Sequence, residues 1–161
     1  MKLTSVVVAM AASLIILPAC DAKPQSEDRV VNVEADDAVM NAAIARARSP
    51  LPVFWAEQAA PKAGERDFAL KIRITDGDQN EHFWCNEIQG DATKATCAIA
   101  NDPELVHTVK SGQRIDVDPE RISDWMYFRG DDKIVGGETI RALLPHMPKE
   151  EADAYRAMLA E

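Results

Sequence analysis

The sequence has few cysteines and fewer basic than acidic residues, and each shortage excludes a class of protein. With three cysteines in 161 residues, the chain does not depend on a disulfide framework, since a chain of this length can bury a core without one. Lysine and arginine total 18 against 27 aspartates and glutamates, which gives a net charge of −9. This balance argues against a nucleic-acid partner or adsorption to anionic lipid headgroups, because both require positive charge.

The sequence also lacks recognisable catalytic and cofactor motifs. It contains no GxGxxG, P-loop, GxSxG, HExxH or CxxC pattern. The three histidines, His82, His107 and His146, are far apart and lack metal-ligand spacing. No catalytic residue, cofactor or metal is therefore predicted.

The N-terminal apolar run covers residues 6–17, and its 12 residues are too few to cross about 30 Å of hydrocarbon as a helix. Lys2 precedes this run, and residues 17–20 (LPAC) resemble a bacterial lipobox. Residues 1–19 are therefore predicted to be a signal peptide, cleaved before a lipidated Cys20. The alternative is an ordinary signal peptide that is cut at Ala19 or Ala22.

Either form of signal peptide places the mature chain outside the cytoplasm. The predicted location is the periplasmic face of a bacterial membrane, with Cys20 as the lipid anchor. Asp21 resembles a retention signal for the inner membrane. Residues 20–33 are polar and contain Pro24, so they are predicted to be a flexible tether before a single domain at residues 34–161.

The rest of the chain has helical apolar patterns at its ends and alternating strands between them. Helices are predicted at residues 36–48, 51–58, 101–109, 138–144 and 149–161. Strands are predicted at residues 67–75, 81–88, 93–100 and 113–118, followed by a hairpin at 122–135. This order predicts an α+β fold: a twisted antiparallel sheet of five or six short strands with N-terminal and C-terminal helices packed on it. Such short strands leave open a curled, partial barrel.

Cys85 and Cys97 flank one predicted hairpin. If the turn centres on Asp91, the two cysteines face each other across the strands, within the Cα spacing that a disulfide tolerates. A disulfide is therefore predicted, with a stabilisation of roughly 2–3 kcal/mol. The alternatives are two free thiols or a metal or redox pair, and the lack of a CxxC motif argues against the latter.

Several short motifs in the second half of the chain carry a family resemblance. They are Glu81-His82-x-Trp84, Asn101-x-Pro103, Lys110-x-Gly112, residues 122–126 (ISDWM) and Ile134-x-Gly136-Gly137-x-x-x-Arg141. With the helix around Met40, they resemble the YegJ-type family of bacterial domains of unknown function, with a family-like core at residues 68–141. The resemblance implies no activity, although it extends to lipoprotein members. Cys85 and Cys97 depart from the family pattern.

The motif residues also supply candidates for a binding site. A possible binding cluster consists of Glu81, His82, Trp84, Asp124, Trp125 and Arg141. The structural alternatives are Glu81 and His82 as a hydrogen-bonded pair, Trp125 as a core anchor, Asp124 as an acceptor for backbone N–H groups, and Arg141 as a partner of Asp124 or Glu81. Gly136-Gly137 is predicted to end a strand with a positive-φ bend rather than to bind phosphate.

These observations predict a membrane-anchored lipoprotein that acts as a binding or interaction module in the cell envelope. Its partner is an unknown envelope protein or ligand. One alternative is a small envelope hydrolase that uses Glu81 and His82, or Asp124. Another is a protective, immunity-type protein that binds a basic partner with its acidic surface.

Overall fold

The computed structural model describes residues 37–161. The predicted signal peptide, the lipidation site Cys20 and the tether at residues 20–33 lie outside this range. Within the described range, no helix is both long and apolar enough to span a bilayer.

Four α-helices in the described chain precede and follow the strands. They are α1 (Ala38–Arg48), α2 (Leu51–Ala59), α3 (Glu138–Leu143) and α4 (Lys149–Met158). Asp37 caps α1, because its carboxylate accepts the N–H groups of Val39 at 2.7 Å and Met40 at 3.1 Å. Pro50 follows α1 and sets the start of α2.

Six strands form one antiparallel sheet, which confirms the predicted α+β fold. The strands are β1 (Arg66–Asp76), β2 (Gln79–Gly90), β3 (Ala95–Ile99), β4 (Arg114–Asp116), β5 (Ile122–Arg129) and β6 (Lys133–Gly136). Their spatial order is β4-β3-β2-β1-β5-β6, so the sheet has two edge strands and is not closed into a barrel. Gly136 and Gly137 have φ of 85° and 72°, which confirms the positive-φ bend after β6.

The helices cover opposite faces of the sheet. On one face, Phe54 from α2 packs with Phe83, Ile72 and Trp125 in the main core. On the other face, α3, α4 and the end of the chain bury a smaller cluster around Ile134. The alternation of side chains along β2 therefore sends Phe83 and its neighbours to different layers.

The sheet divides between its two central strands. β1 and β2 pair as far as Leu70 and Cys85. Beyond this pair, β1 pairs with β5 and β2 pairs with β3. Both diverging segments contain a bulge, and in these segments Asp67 and Glu87 have φ of 54° and 50°. Because bulges bend and twist strands, β1 and β2 separate at this end.

The predicted helix at residues 101–109 is wrong, because this segment is a loop. The buried Glu81 carboxylate accepts the backbone N–H groups of Glu104, Leu105 and Val106 at 2.9–3.2 Å. The Glu81 carboxylate therefore satisfies backbone N–H groups that would otherwise require the hydrogen bonds of a helix.

Cys85 and Cys97 form the predicted disulfide, with their Cα atoms 5.6 Å apart. The predicted register was wrong, since Cys85 pairs with Ile99. The bulge in β2 places Cys97 diagonally across from Cys85, and both side chains enter the main core. The disulfide therefore joins β2 to β3 at the point where β2 leaves β1.

Candidate functional site

The six residues of the predicted binding cluster are divided between the two faces of the sheet. Glu81 and His82 are neighbours in β2, so their side chains lie on opposite faces of the sheet. His82 and Trp84 share the face opposite the main core. Asp124 binds the start of α3, Trp125 is in the main core, and Arg141 lies on α3 itself.

Glu81 is used inside the fold. Its side chain is 3% exposed, and its carboxylate is bound to the three backbone N–H groups of the 104–106 loop segment. A carboxylate that is bound in this way holds a loop and is closed to substrate. Glu81 and His82 therefore do not form a catalytic pair.

His82 is half-buried, and its Nδ1 lies 2.8 Å from the Ser123 hydroxyl oxygen. That hydroxyl donates to the Lys71 carbonyl at 3.2 Å. Burial lowers the pKa of His82 to about 4, and the charges of Lys71 and Arg73 act in the same direction. An imidazole with so low a pKa is a weak general base at neutral pH.

Asp124 is completely buried and accepts four hydrogen bonds. The donors are the backbone N–H groups of Trp125, Glu138 and Thr139 and the hydroxyl of Thr139. Burial raises the pKa of Asp124, and these bonds oppose the shift. The arrangement caps α3 from a neighbouring strand and leaves no carboxylate lone pair aimed at solvent.

Trp125 fills the main core as an anchor and is 6% exposed. Its indole N–H donates to the Ala47 carbonyl at the end of α1, 2.8 Å away. Its ring packs against Phe54, with the centroids 5.4 Å apart. In the described chain, every fully buried side-chain nitrogen or oxygen has a hydrogen-bond partner, as expected of a structural network.

Arg141 pairs with Glu138 at 3.5 Å and donates to the Ala160 carbonyl at 2.6 Å. The expected pairing with Asp124 or Glu81 is wrong, because both carboxylates are bound to backbone groups. Arg46 binds the same Glu138 at 2.8 Å. These residues line an open cleft of about 480 Å³ whose positive charges are already shared with one carboxylate.

Trp84 is the predicted residue that reaches a larger opening. This opening, which we call the split cleft, has a volume of about 620 Å³ and lies where β1 and β2 separate. It is lined by Gln58, Pro61, Asp67, Phe68, Ala69, Trp84, Asn86, Glu87, Ile88, Ala100, Met126 and Phe128. Most of these side chains are apolar, as in many ligand pockets.

Two acidic residues that line the split cleft are not among the site residues predicted from the sequence. Asp67 and Glu87 lie on the two bulges, and their side chains are 69% and 71% exposed. Asp67 carries a weak signal, because aspartate tolerates left-handed backbone. Glu87 carries none, since its position in a bulge depends on how β2 pairs with β3.

The described residues contain no group of three or more His, Cys, Asp or Glu side chains arranged to hold a metal ion. The chemistry that the split cleft offers is apolar contact, aromatic surface and carboxylate charge. Lys71 lies beside it, with its ammonium 5.3 Å from the Trp84 ring centroid and 3.3 Å from the Thr139 hydroxyl.

Comparison with known proteins places the chain among uncharacterized bacterial proteins. It is 42% identical over 132 residues to the uncharacterized protein YegJ of Escherichia coli strain K12, covering 82% of this chain and 84% of YegJ. It is 30% identical over 134 residues to a putative ankyrin repeat protein of Neisseria meningitidis serogroup B, covering 78% of this chain and about half (52%) of that protein. No solved structure matches the chain.

The family described as "Uncharacterized protein conserved in bacteria (DUF2314)" matches residues 37–160, which is almost all of the described structure. This match and the similarity to YegJ confirm the resemblance that the motifs of β2, β5 and α3 indicated. The chain belongs to the DUF2314 family of uncharacterized proteins conserved in bacteria.

Proposed function

We propose that this protein is a lipid-anchored binding module of the bacterial cell envelope and that its ligand site is the split cleft. The anchor rests on the sequence of residues 1–20, where a charged residue, an apolar run and a lipobox-like LPAC end at Cys20. The tether at residues 20–33 gives the domain reach from the membrane without fixing its orientation.

The split cleft is the observation that carries the binding role. A continuous sheet would pair β1 and β2 along their whole lengths, whereas here bulges in both strands open the sheet beside Trp84. The disulfide between Cys85 and Cys97 braces the diverging strand at the same point. Bulges often occur next to functional sites, where they end pairing and redirect side chains.

The structure argues against the hydrolase alternative, because its candidate residues are held in contacts within the fold. Glu81 and Asp124 are saturated by backbone donors, and His82 is a half-buried, weakly basic imidazole. A hydrolase needs such groups to converge on an open cleft. Glu81 lies on the face of the sheet opposite His82, and all three groups bind parts of their own fold.

The lipid anchor is tested by labelling cells with a radioactive fatty acid and separating membrane from soluble fractions. The wild-type protein is expected to carry label and to sediment with membranes. Cys20→Ser is expected to lose the label and to appear in the soluble fraction. An unlabelled wild-type protein would contradict the anchor and leave the binding role open.

The binding role is tested by photo-crosslinking in cells. A photoreactive aromatic amino acid is placed at Ile88, which lines the split cleft, and for comparison at Val39, which is exposed on α1. A specific partner is expected from position 88 and not from position 39. The crosslink should disappear when Asn86→Lys fills the cleft mouth, and its persistence in that variant would contradict the assignment of the site.

A further inference from the structure

We propose that the ligand of the split cleft is an extended, basic peptide segment of a partner protein, with an apolar side chain as its anchor. This inference rests on the proposed function and specifies the chemistry of its ligand. It follows from the lining of the cleft, the charge at its mouth and the backbone of the two separating strands.

The lining of the split cleft favours a ligand with an apolar side chain as its anchor. Trp84, Ile88 and Phe128 supply aromatic and aliphatic surface on the walls. A volume of about 620 Å³ holds one or two large side chains and lies within the usual range of ligand pockets. Burial of an aromatic or branched side chain there would displace water from apolar surface on both partners.

The charge at the mouth calls for a basic neighbour to this anchor. Asp67 and Glu87 line the two sides, while lysine and arginine are absent from the lining that the described residues form. Arg66 approaches Asp67 at 3.5 Å and Arg114 approaches Glu87 at 3.1 Å, but all four side chains are at least one-third exposed. Exposed ion pairs of this kind contribute little. Arg66 also binds Asp132 and lies 5.2 Å from the Phe128 ring centroid, and Arg114 also donates to the Glu87 carbonyl at 3.0 Å. Each arginine therefore keeps a partner when a ligand's lysine or arginine takes its carboxylate.

The net charge of −9 also favours a basic ligand, at distances beyond the mouth of the cleft. A negatively charged protein attracts basic segments and repels acidic ones, which raises the association rate of the correct partner. Lys71 is outside the lining of the cleft, although its ammonium lies 5.3 Å from the Trp84 ring centroid and 3.3 Å from the Thr139 hydroxyl.

The backbone of the separating strands calls for an extended chain. Past the pair formed by Leu70 and Cys85, β1 and β2 have no ladder with each other, and their facing edges border the cleft. Strand edges of this kind can accept main-chain hydrogen bonds from an extended peptide. The bulges at Asp67 and Glu87 limit such pairing to a short segment, so the side-chain anchor has to supply most of the affinity.

The test uses the purified domain with its disulfide intact and three short, end-blocked peptides. The first alternates leucine with lysine, the second alternates leucine with glutamate, and the third alternates serine with lysine. Binding is measured by fluorescence anisotropy at low and at physiological salt. The first peptide is expected to bind at least about tenfold more tightly than the other two, because only it combines an anchor with positive charge.

Variants then locate the binding. Asp67→Asn with Glu87→Gln removes both carboxylates, and asparagine also accepts the left-handed backbone at position 67. This double variant is expected to weaken the leucine–lysine peptide by about tenfold and to reduce its salt dependence. Glu150→Gln on α4 removes an exposed charge that does not line the cleft, and it is expected to leave binding unchanged.

A folding control separates loss of the site from loss of the fold. Trp84→Ala removes the aromatic wall, and Asn86→Lys adds a cation to an exposed position of the lining. Asn86→Lys is expected to abolish binding while the melting temperature stays near the wild-type value. Equal loss in Glu150→Gln would show that the peptide is attracted only by net charge, and this result would overturn the proposal.

The outcomes also distinguish this inference from the proposed function. A crosslinked partner from position 88, combined with preference for the leucine–glutamate peptide, would overturn the basic ligand and keep the binding module. Absence of a crosslink from position 88 together with equal, weak binding of all three peptides would overturn both.

Discussion

The Asp124 carboxylate accepts the Thr139 backbone N–H at 2.7 Å and the Thr139 hydroxyl at 2.6 Å, and it thereby joins β5 to the start of α3. Since α3 begins at the left-handed Gly137 without a side-chain cap of its own, Asp124 supplies the acceptor that the helix lacks. Asp124→Ala is expected to lower the free energy of unfolding by about 2–4 kcal/mol, because it leaves buried donors unpaired. Urea denaturation measures the effect.

Thr139→Ser is the matched control for this bond. Serine keeps the hydroxyl and the backbone donor, so this variant should cost much less than Asp124→Ala. An Asp124→Ala protein that is as stable as the wild type would contradict the capping role.

The partial burial of His82 gives the stability of the protein a dependence on pH. Its pKa falls from 6.5 in the unfolded chain to about 4 in the folded protein. Between these values the unfolded chain binds a proton that the folded protein does not, so stability is full above the higher value and is lost as the pH falls towards the lower. Protonation of His82 is expected to lower the free energy of unfolding by about 3 kcal/mol over this range.

His82→Gln isolates this contribution. The free energy of unfolding of the wild type, relative to the variant, should fall by about 3 kcal/mol between neutral pH and pH 4. His107→Gln changes an exposed histidine and is the matched control substitution. Parallel pH profiles for the wild type and His82→Gln would show that His82 is not shielded from water.

The Glu81 carboxylate is expected to hold the loop at residues 101–109 in place. Glu81→Gln keeps the size of the side chain but removes the charge that three backbone N–H groups share. The variant should lose about 1–3 kcal/mol, and hydrogen exchange at Leu105 and Val106 should accelerate. Glu104→Gln, at an exposed position in the same loop, should leave exchange unchanged, and faster exchange there would argue against the carboxylate as the cause.

Gly136 predicts a large difference between two glycine substitutions. A Cβ at Gly136 would lie 2.3 Å from the Trp125 carbonyl oxygen, while a Cβ at Gly77 meets no heavy atom within 4 Å. Both residues have positive φ, so alanine strains both backbones. Gly136→Ala should cost more than about 3 kcal/mol and Gly77→Ala about 1 kcal/mol, as thermal unfolding would show. Similar losses at the two positions would mean that the close contact with Trp125 is unimportant.

Local patterns predicted most of the elements because they arise from local chemistry. The alternation from Phe68 to Ile74 marks β1, and the apolar stripe after Asp37 marks α1. Turn residues at 76–80 and 129–132 place the hairpins. The 101–109 segment was wrongly predicted as a helix, because its order depends on the distant Glu81.

In the proposed site too, residues whose role depends on distant contacts could not be predicted from the sequence. Trp84 was a candidate from the sequence, because a large aromatic residue in a strand is either an anchor or a contact surface. Asp67 and Glu87 could not be recognised, since their role depends on two bulges that form only when β5 and β3 pair with the central strands. Asp124 was correctly offered a structural role, but its partner Thr139 is set by the packing of α3.

By itself, the sequence determined the α+β class, the succession of strands along the chain, the disulfide partners and the acidic character of the protein. These properties follow from side-chain periodicity, turn chemistry and charge, which act over a few residues or add along the chain. Tertiary structure decided which polar groups are buried, how β2 aligns with β3 and where the sheet opens. These outcomes depend on contacts between distant segments, in which one bulge changes the position of every residue beyond it.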